Sequence, residues 1–178
     1  MKSQSSYDGE LVVVSQDNQW AVKVSDIAPT MQSALENWSD VSAKLNNTYE
    51  QLNAGQIENK VEVNESLFHS PLPRSYQWAD GSAFIHHIKL VRKSRNAALP
   101  ETLETVPLMY QGGSDNFLAP RETIPQVDFS HGTDFEGEVA VILGDVPMGT
   151  KAEDALQYVR LVMTVSYTHL TLPTKRIV

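Results

Sequence analysis

Residues 139–143, "VAVIL", are apolar at every position, and the carboxylates of Glu136 and Glu138 stand just before them. Side chains alternate along a strand, so a run that is apolar at odd and even positions alike reads as a strand covered on both faces. Glu136 and Glu138 would then share one face, about 6.6 Å apart at a strand's rise per residue. Like charges at the edge of a core repel and resist desolvation unless something positive offsets them. A hard divalent cation does so by collecting oxygen ligands from several segments. A solvated strand end needs no such partner, and the pair alone leaves both readings open.

Composition narrows the choice. A chain of 178 residues has room for one domain, or for a small domain and part of a larger one. At 41% hydrophobic and 20% charged it is ordinary for a globular protein. The net charge of -8, with no run of Lys and Arg interleaved with aromatics, argues against nucleic acid as a partner. The absence of Cys rules out disulfides, thiolate nucleophiles and Cys-ligated zinc. No signal peptide opens the chain, and no apolar run approaches the ~20 residues of a membrane span, so the expected location is cytoplasmic, without a membrane partner.

Two strands are expected at Leu11 to Val14 and Ala21 to Val24, joined by the polar turn "SQDNQ". Met31, Ala34, Leu35, Trp38, Val41, Leu45, Tyr49 and Leu52 then recur at three- and four-residue steps, an amphipathic helical stripe that reads as core. Thr30 is the expected N-cap and Gly55 the expected stop, with room for a break near Ser39. These elements make a small α/β domain over residues 1–70. Residues 56–70 are polar and lead to Pro71 and Pro73, which mark a boundary.

Beyond it, "ADGSAF" and "YQGGSDNF" carry turn or loop chemistry, Val106 to Tyr110 and Glu138 to Leu143 read as strands, and "GTKAEDALQYVRLVM" reads as a helix. Thr150 and Glu153 would form a capping box at its start. The expected architecture is α+β to mostly β, the small first domain preceding the first part of a mostly β domain over residues 71–164.

The tail "VSYTHLTLPTKRIV" breaks this pattern. "VSYTHLTLPT" is similar to the in-frame translation of a transposon-derived adapter used in short-read DNA libraries (gtc tct tat aca cat ctg acg ctg ccg acg). Lys175 to Ile177 would then come mostly from a sample barcode, and Val178 would be a gtg codon followed by a stop tag. Residues 165–178 are accordingly expected to lie outside the natural fold. The natural chain would continue past Thr164, and the sequence as written would neither fold stably nor turn over a substrate.

The remaining candidates for chemistry are Asp80, His86, His87, His131 and Asp134. His86 and His87 are adjacent, so in extended backbone only one of them can face a given site. Arg92, Lys93 and Arg95 make a short basic cluster that suits a solvated face, and Gly112-Gly113 suits a turn. No G-x-S-x-G, H-E-x-x-H, P-loop or G-x-G-x-x-G motif occurs.

Three segments taken together, "PLPRSYQWADGSAFIHHIKLVRKSR", "PLMYQGGSDNF" and "DFEGEVAVILGDVPMG", resemble the fumarylacetoacetate hydrolase family, especially its bacterial two-domain members. The resemblance covers residues 70 to 163, and "DGELVVVSQD" with the helical stripe is similar to the smaller N-terminal domain of such proteins. It implies a β-roll catalytic domain, a homodimer when full length, and Mg²⁺ or Ca²⁺ held by carboxylates. On that resemblance Asp80, Glu136 and Glu138 bind the metal. His87, seven positions after Asp80, is the catalytic base, and Tyr110 contacts the substrate. An Arg that contacts substrate in the hydrolases has no counterpart at the matching offset in Arg92 or Arg95. A further metal-binding Asp, a Lys and an acidic partner of the His would lie beyond Met163. The implied activity is hydrolysis of a carbon–carbon bond in fumarylacetoacetate or a related acylpyruvate, a dioxo or 2-oxo acid, in the breakdown of aromatic compounds. Relatives on the same scaffold are hydratases, decarboxylases or isomerases of 2-oxo acids, and a non-catalytic binding member is the third alternative.

Overall fold

A computed structural model describes residues 1–113, 116–126, 128–131 and 137–166. They form two compact units, one holding Met1–Pro71 and the described residues from Leu118 onward, the other Leu72–Phe117.

In the first unit, β1 (Val12–Val14) and β2 (Trp20–Lys23) form an antiparallel hairpin, with Val13 opposite Val22. The turn between them is fixed by its own polar side chains. Ser15 Oγ donates to Asp17 Oδ1 at 2.6 Å and accepts from the Trp20 N–H at 2.9 Å. Asp17 Oδ1 also accepts from the Gln19 N–H at 3.0 Å, and these bonds hold its carboxyl below the usual carboxylate range. Asn18 takes the left-handed conformation at φ 57, which Asn tolerates better than most residues. A third strand, β3 (Val61–Glu62), pairs with β2 inside the segment whose polarity predicts no element. Two residues are too short to show an alternation.

The helical stripe divides at Asn37 into α1 (Met31–Glu36) and α2 (Trp38–Asn53), two residues before the expected break. Thr30 caps α1 as its residue type predicts, its Oγ1 accepting from the Ser33 N–H at 3.1 Å. Past the end of α2, Gly55 adopts φ 73, its N–H bonds to Leu52 O, and the Gln56 N–H bonds to Gln51 O. This pair of bonds satisfies the last carbonyls of the helix and needs a left-handed residue. Ala34, Val41 and Leu52 of the stripe pack with Leu11, Val22, Val24 and Ala28 into one core, flanked by Trp20, Met31 and Leu45. Burial of this apolar surface is what holds short helices of modest intrinsic propensity in place.

The same unit contains the hairpin of β6 (Gly137–Leu143) and β7 (Val159–Ser166), with Val141 opposite Val162 and a register shift at Ile142/Leu143. Here the sequence expectation needs correcting. The predicted helix over "GTKAEDALQYVRLVM" is a 3₁₀ segment at Ala152–Tyr158, and "VRLVM" belongs to a strand. β-branched and apolar residues in that run pair with β6 more favourably than they extend a helix. The predicted capping box is absent as well. Lys151 occupies the cap position, and Thr150 Oγ1 donates backward to Pro147 O at 2.7 Å. Val165 and Ser166, expected to lie outside the fold, continue β7 opposite Glu138 and Gly137. Residues 139–143, expected to be covered on both faces, leave Val139 72% exposed and Val141 and Leu143 each 49% exposed, so one face of β6 is open.

In the second unit, β4 (Ala79–Ser82) and β5 (Leu108–Gln111) pair antiparallel, and α3 (Ile85–Ser94) follows β4 after the two residues Ala83 and Phe84. "ADGS", expected as a loop, is therefore a strand. Its Asp, Gly and Ser are poor strand formers, and pairing with "LMYQ" overrides that preference. Ile88 is the buried residue of α3.

Among the described residues, no helix is long and apolar enough to cross a membrane.

Candidate functional site

The register of β4 and β5 sets Asp80 directly opposite Tyr110. Directly opposed residues of an antiparallel pair project from the same face of the sheet. The Tyr110 hydroxyl accordingly donates to Asp80 Oδ2 at 2.8 Å. Ser82, two residues on and so on the same face, donates from Oγ to Asp80 Oδ1 at 3.2 Å. Both carboxylate oxygens are thus held by hydroxyl groups of one small sheet. Asp80 is half-buried and Tyr110 is 44% exposed, so the pair sits at an accessible edge of the unit.

The strand pair is locked just beyond Asp80. The Gly112 N–H bonds to Trp78 O at 3.0 Å, and Trp78 Nε1 donates to Gly113 O at 2.7 Å. The indole also lies against Phe117, with ring centroids 5.8 Å apart. Gly112, the first residue of the double Gly expected as a turn, lets the chain pass close to this ring.

His86 and His87 occupy the first turn of α3 rather than an extended segment. Successive residues on a helix are separated by about 100°, so the two imidazoles diverge without pointing to opposite sides. His86 lies near the Phe84 ring, with centroids 6.5 Å apart. His87 is exposed. The seven-residue step from Asp80 to His87 is therefore built as strand, two-residue link and first helical turn. Arg92 and Lys93 fall in the last turn of α3, where cations complement the negative end of the helix dipole, and Arg95 is the C-cap.

Glu138 lies on β6 in the other unit, exposed, opposite Val165. Glu136 and Asp134 lie outside the described residues, and so does the E-x-E pair as a pair. Of the proposed site residues, the structure joins Asp80 to Tyr110. Ser82 is the participant that the sequence reading omits. Its signal was the i, i+2 spacing from Asp80, which puts both on one face only once "ADGS" is taken as a strand.

Oxygen donors of this kind suit a hard cation. A carboxylate offers about four lone-pair positions, and two hydroxyl donors leave the others of Asp80 available for a metal. Among the described residues, no three His, Asp or Glu side chains are grouped to hold an ion.

Residues 1–74 match the model of the fumarylacetoacetase N-terminal domain 2, and residues 77–167 match that of the fumarylacetoacetate (FAA) hydrolase C-terminal domain. The second match alone spans half of the chain. The chain belongs to the fumarylacetoacetate hydrolase family. The first match ends at residue 74 and the second begins at residue 77. Asp80, His87, Tyr110, Glu136 and Glu138 all lie within the C-terminal domain of this family, whose members generally depend on a metal. No curated protein matches the chain.

Proposed function

We propose that this member of the fumarylacetoacetate hydrolase family is a Mg²⁺- or Ca²⁺-dependent hydrolase that cleaves a carbon–carbon bond in fumarylacetoacetate or a related acylpyruvate. The observation that carries the reading is the Asp80–His87 step, a fixed carboxylate on a strand followed by an accessible imidazole in the next element. The complete C-terminal domain is read as a β-roll, and the full-length protein as a homodimer that serves the breakdown of aromatic compounds.

Asp80, Glu136 and Glu138 are the residues that would hold the ion, all with oxygen donors. When bound, the ion supplies Lewis acidity toward the dioxo or 2-oxo acid part of the substrate. His87 accepts a proton from the attacking water, whose hydroxide adds to the ketone carbon. The carbon–carbon bond then breaks, its electron pair leaves with the enolate, and that fragment is protonated to the ketone. Charge develops on the enolate oxygen as the bond breaks, so donors fixed beforehand lower the barrier.

Two variants of the full-length protein separate these roles. Glu138→Ala is expected to lose divalent-cation binding in calorimetry. His87→Ala is expected to bind the cation like wild type and to lose turnover of the acylpyruvate. Wild-type Mg²⁺ and Ca²⁺ affinity in Glu138→Ala would overturn the metal assignment. Retained turnover in His87→Ala would remove the histidine from the mechanism.

A further inference from the structure

We infer that Tyr110 is a positioning residue for Asp80, fixing the direction of its carboxylate before any cation or substrate arrives. The inference rests on the reading of Asp80 as a metal ligand and assigns Tyr110 a task besides contact with substrate. Its ground is the geometry of one face of the β4–β5 pair. Tyr110 stands opposite Asp80 and donates to Oδ2 at 2.8 Å, while Ser82 donates to Oδ1 at 3.2 Å. One donor comes from across the sheet and the other from along the strand, so rotation of the carboxylate about its last torsion breaks at least one bond. Both donors ride on paired backbone, and the Gly112–Trp78 and Trp78–Gly113 bonds extend that pairing past Asp80.

A ligand already oriented loses less freedom when it binds, and hydrogen-bond partners of metal-binding carboxylates commonly set affinity for this reason. Of the two donors, the phenol makes the shorter bond and is carried by a rigid ring with few torsions. Ser82 can rotate its hydroxyl away at little cost, so the larger effect belongs to Tyr110.

The test is calorimetric titration of the full-length protein, free of substrate, with MgCl₂ and with CaCl₂. Wild type is compared with Asp80→Asn, Tyr110→Phe and Ser82→Ala, and circular dichroism verifies the fold of each. Removing one oxygen from a ring that is 44% exposed leaves packing intact. Tyr110→Phe is expected to weaken cation binding about 10- to 100-fold, Ser82→Ala less, and Asp80→Asn to lose it. If Asp80→Asn binds like wild type, Asp80 is not a ligand and both the reading and the inference fall. If Asp80→Asn loses the cation while Tyr110→Phe keeps wild-type affinity, the metal reading stands and Tyr110 does not position Asp80.

Discussion

The indole of Trp78 fills the space that a side chain on residue 112 would need. A Cβ built on Gly112 would lie 1.8 Å from Trp78 Cε2 and 1.9 Å from Cζ2. The indole cannot yield easily, because its Nε1 is bonded to Gly113 O and its ring lies against that of Phe117, tilted at 60°. Gly112→Ala must therefore displace the ring or the strand end, at about 3 kcal/mol, the upper part of the range for overpacked sites. Gly81, on β4 of the same sheet, has open space around its Cβ direction, and Gly81→Ala is expected to stay within about 0.5 kcal/mol of wild type. Urea unfolding of the two variants side by side reads the contrast. Equal midpoints would show that the close approach of Trp78 does not matter to stability.

Thr30→Ala is expected to destabilise the first unit by about 1 kcal/mol, the usual worth of an N-cap side chain. Its Oγ1 satisfies the Ser33 N–H, an orphan donor at the start of a six-residue helix with no acidic residue in its first turn. Thr30→Ser keeps the oxygen and should recover most of the loss. Midpoints of denaturant unfolding measure both, and an unchanged Thr30→Ala midpoint would dismiss the cap.

Gly55 offers a sharper contrast, because its φ of 73 is costly for a residue with a Cβ. Gly55→Ala is expected to lose about 1 kcal/mol, the lower end of the cost of a Cβ in the left-handed region. Gly55→Asn should lose less, since Asn enters the left-handed region more readily. Thermal melts that rank the two variants in the opposite order would show that the carbonyl bonds, not the backbone conformation, set the end of α2.

What could be read from the sequence follows from how local each signal is. Thr30, Gly55 and the α1–α2 stripe act through neighbours three or four residues away, so their spacing states the structure directly. β4 was illegible because Ala79, Asp80, Gly81 and Ser82 become a strand through partners some 30 positions away on β5, a register that local propensity does not encode. The pairing of β7 is likewise non-local. "VRLVM" satisfies a helical and a strand pattern over five residues, and β6 decides between them. α3 carries its period in Ile85, Ile88 and Val91, a run too short for the sequence reading to assign to a helix. For the site, Asp80 and Tyr110 came from the family resemblance, and their meeting came from the register. Ser82 came from neither.

His69 gives the first unit a dependence on pH. Its Nδ1 accepts from the Ser70 N–H at 2.8 Å, a bond that only the neutral imidazole can make at that nitrogen. Burial holds the ring's pKa below the ordinary 6.5, assisted by Lys2 and the N-terminal amine and opposed by Glu122 and Asp8. Between that lowered value and 6.5 the unfolded chain binds more protons than the folded one, so stability rises with pH across the window. The contribution is complete above pH 6.5 and is lost as the pH falls toward the folded value. His69→Gln removes the titration, so the difference in urea midpoint between wild type and variant should shift in favour of the variant from pH 7 to pH 5. The ring resonances of His69 should titrate below those of an unstructured histidine. A midpoint difference that stays flat over this range, or a ring that titrates at 6.5 or above, would show that protonation of His69 is not linked to folding.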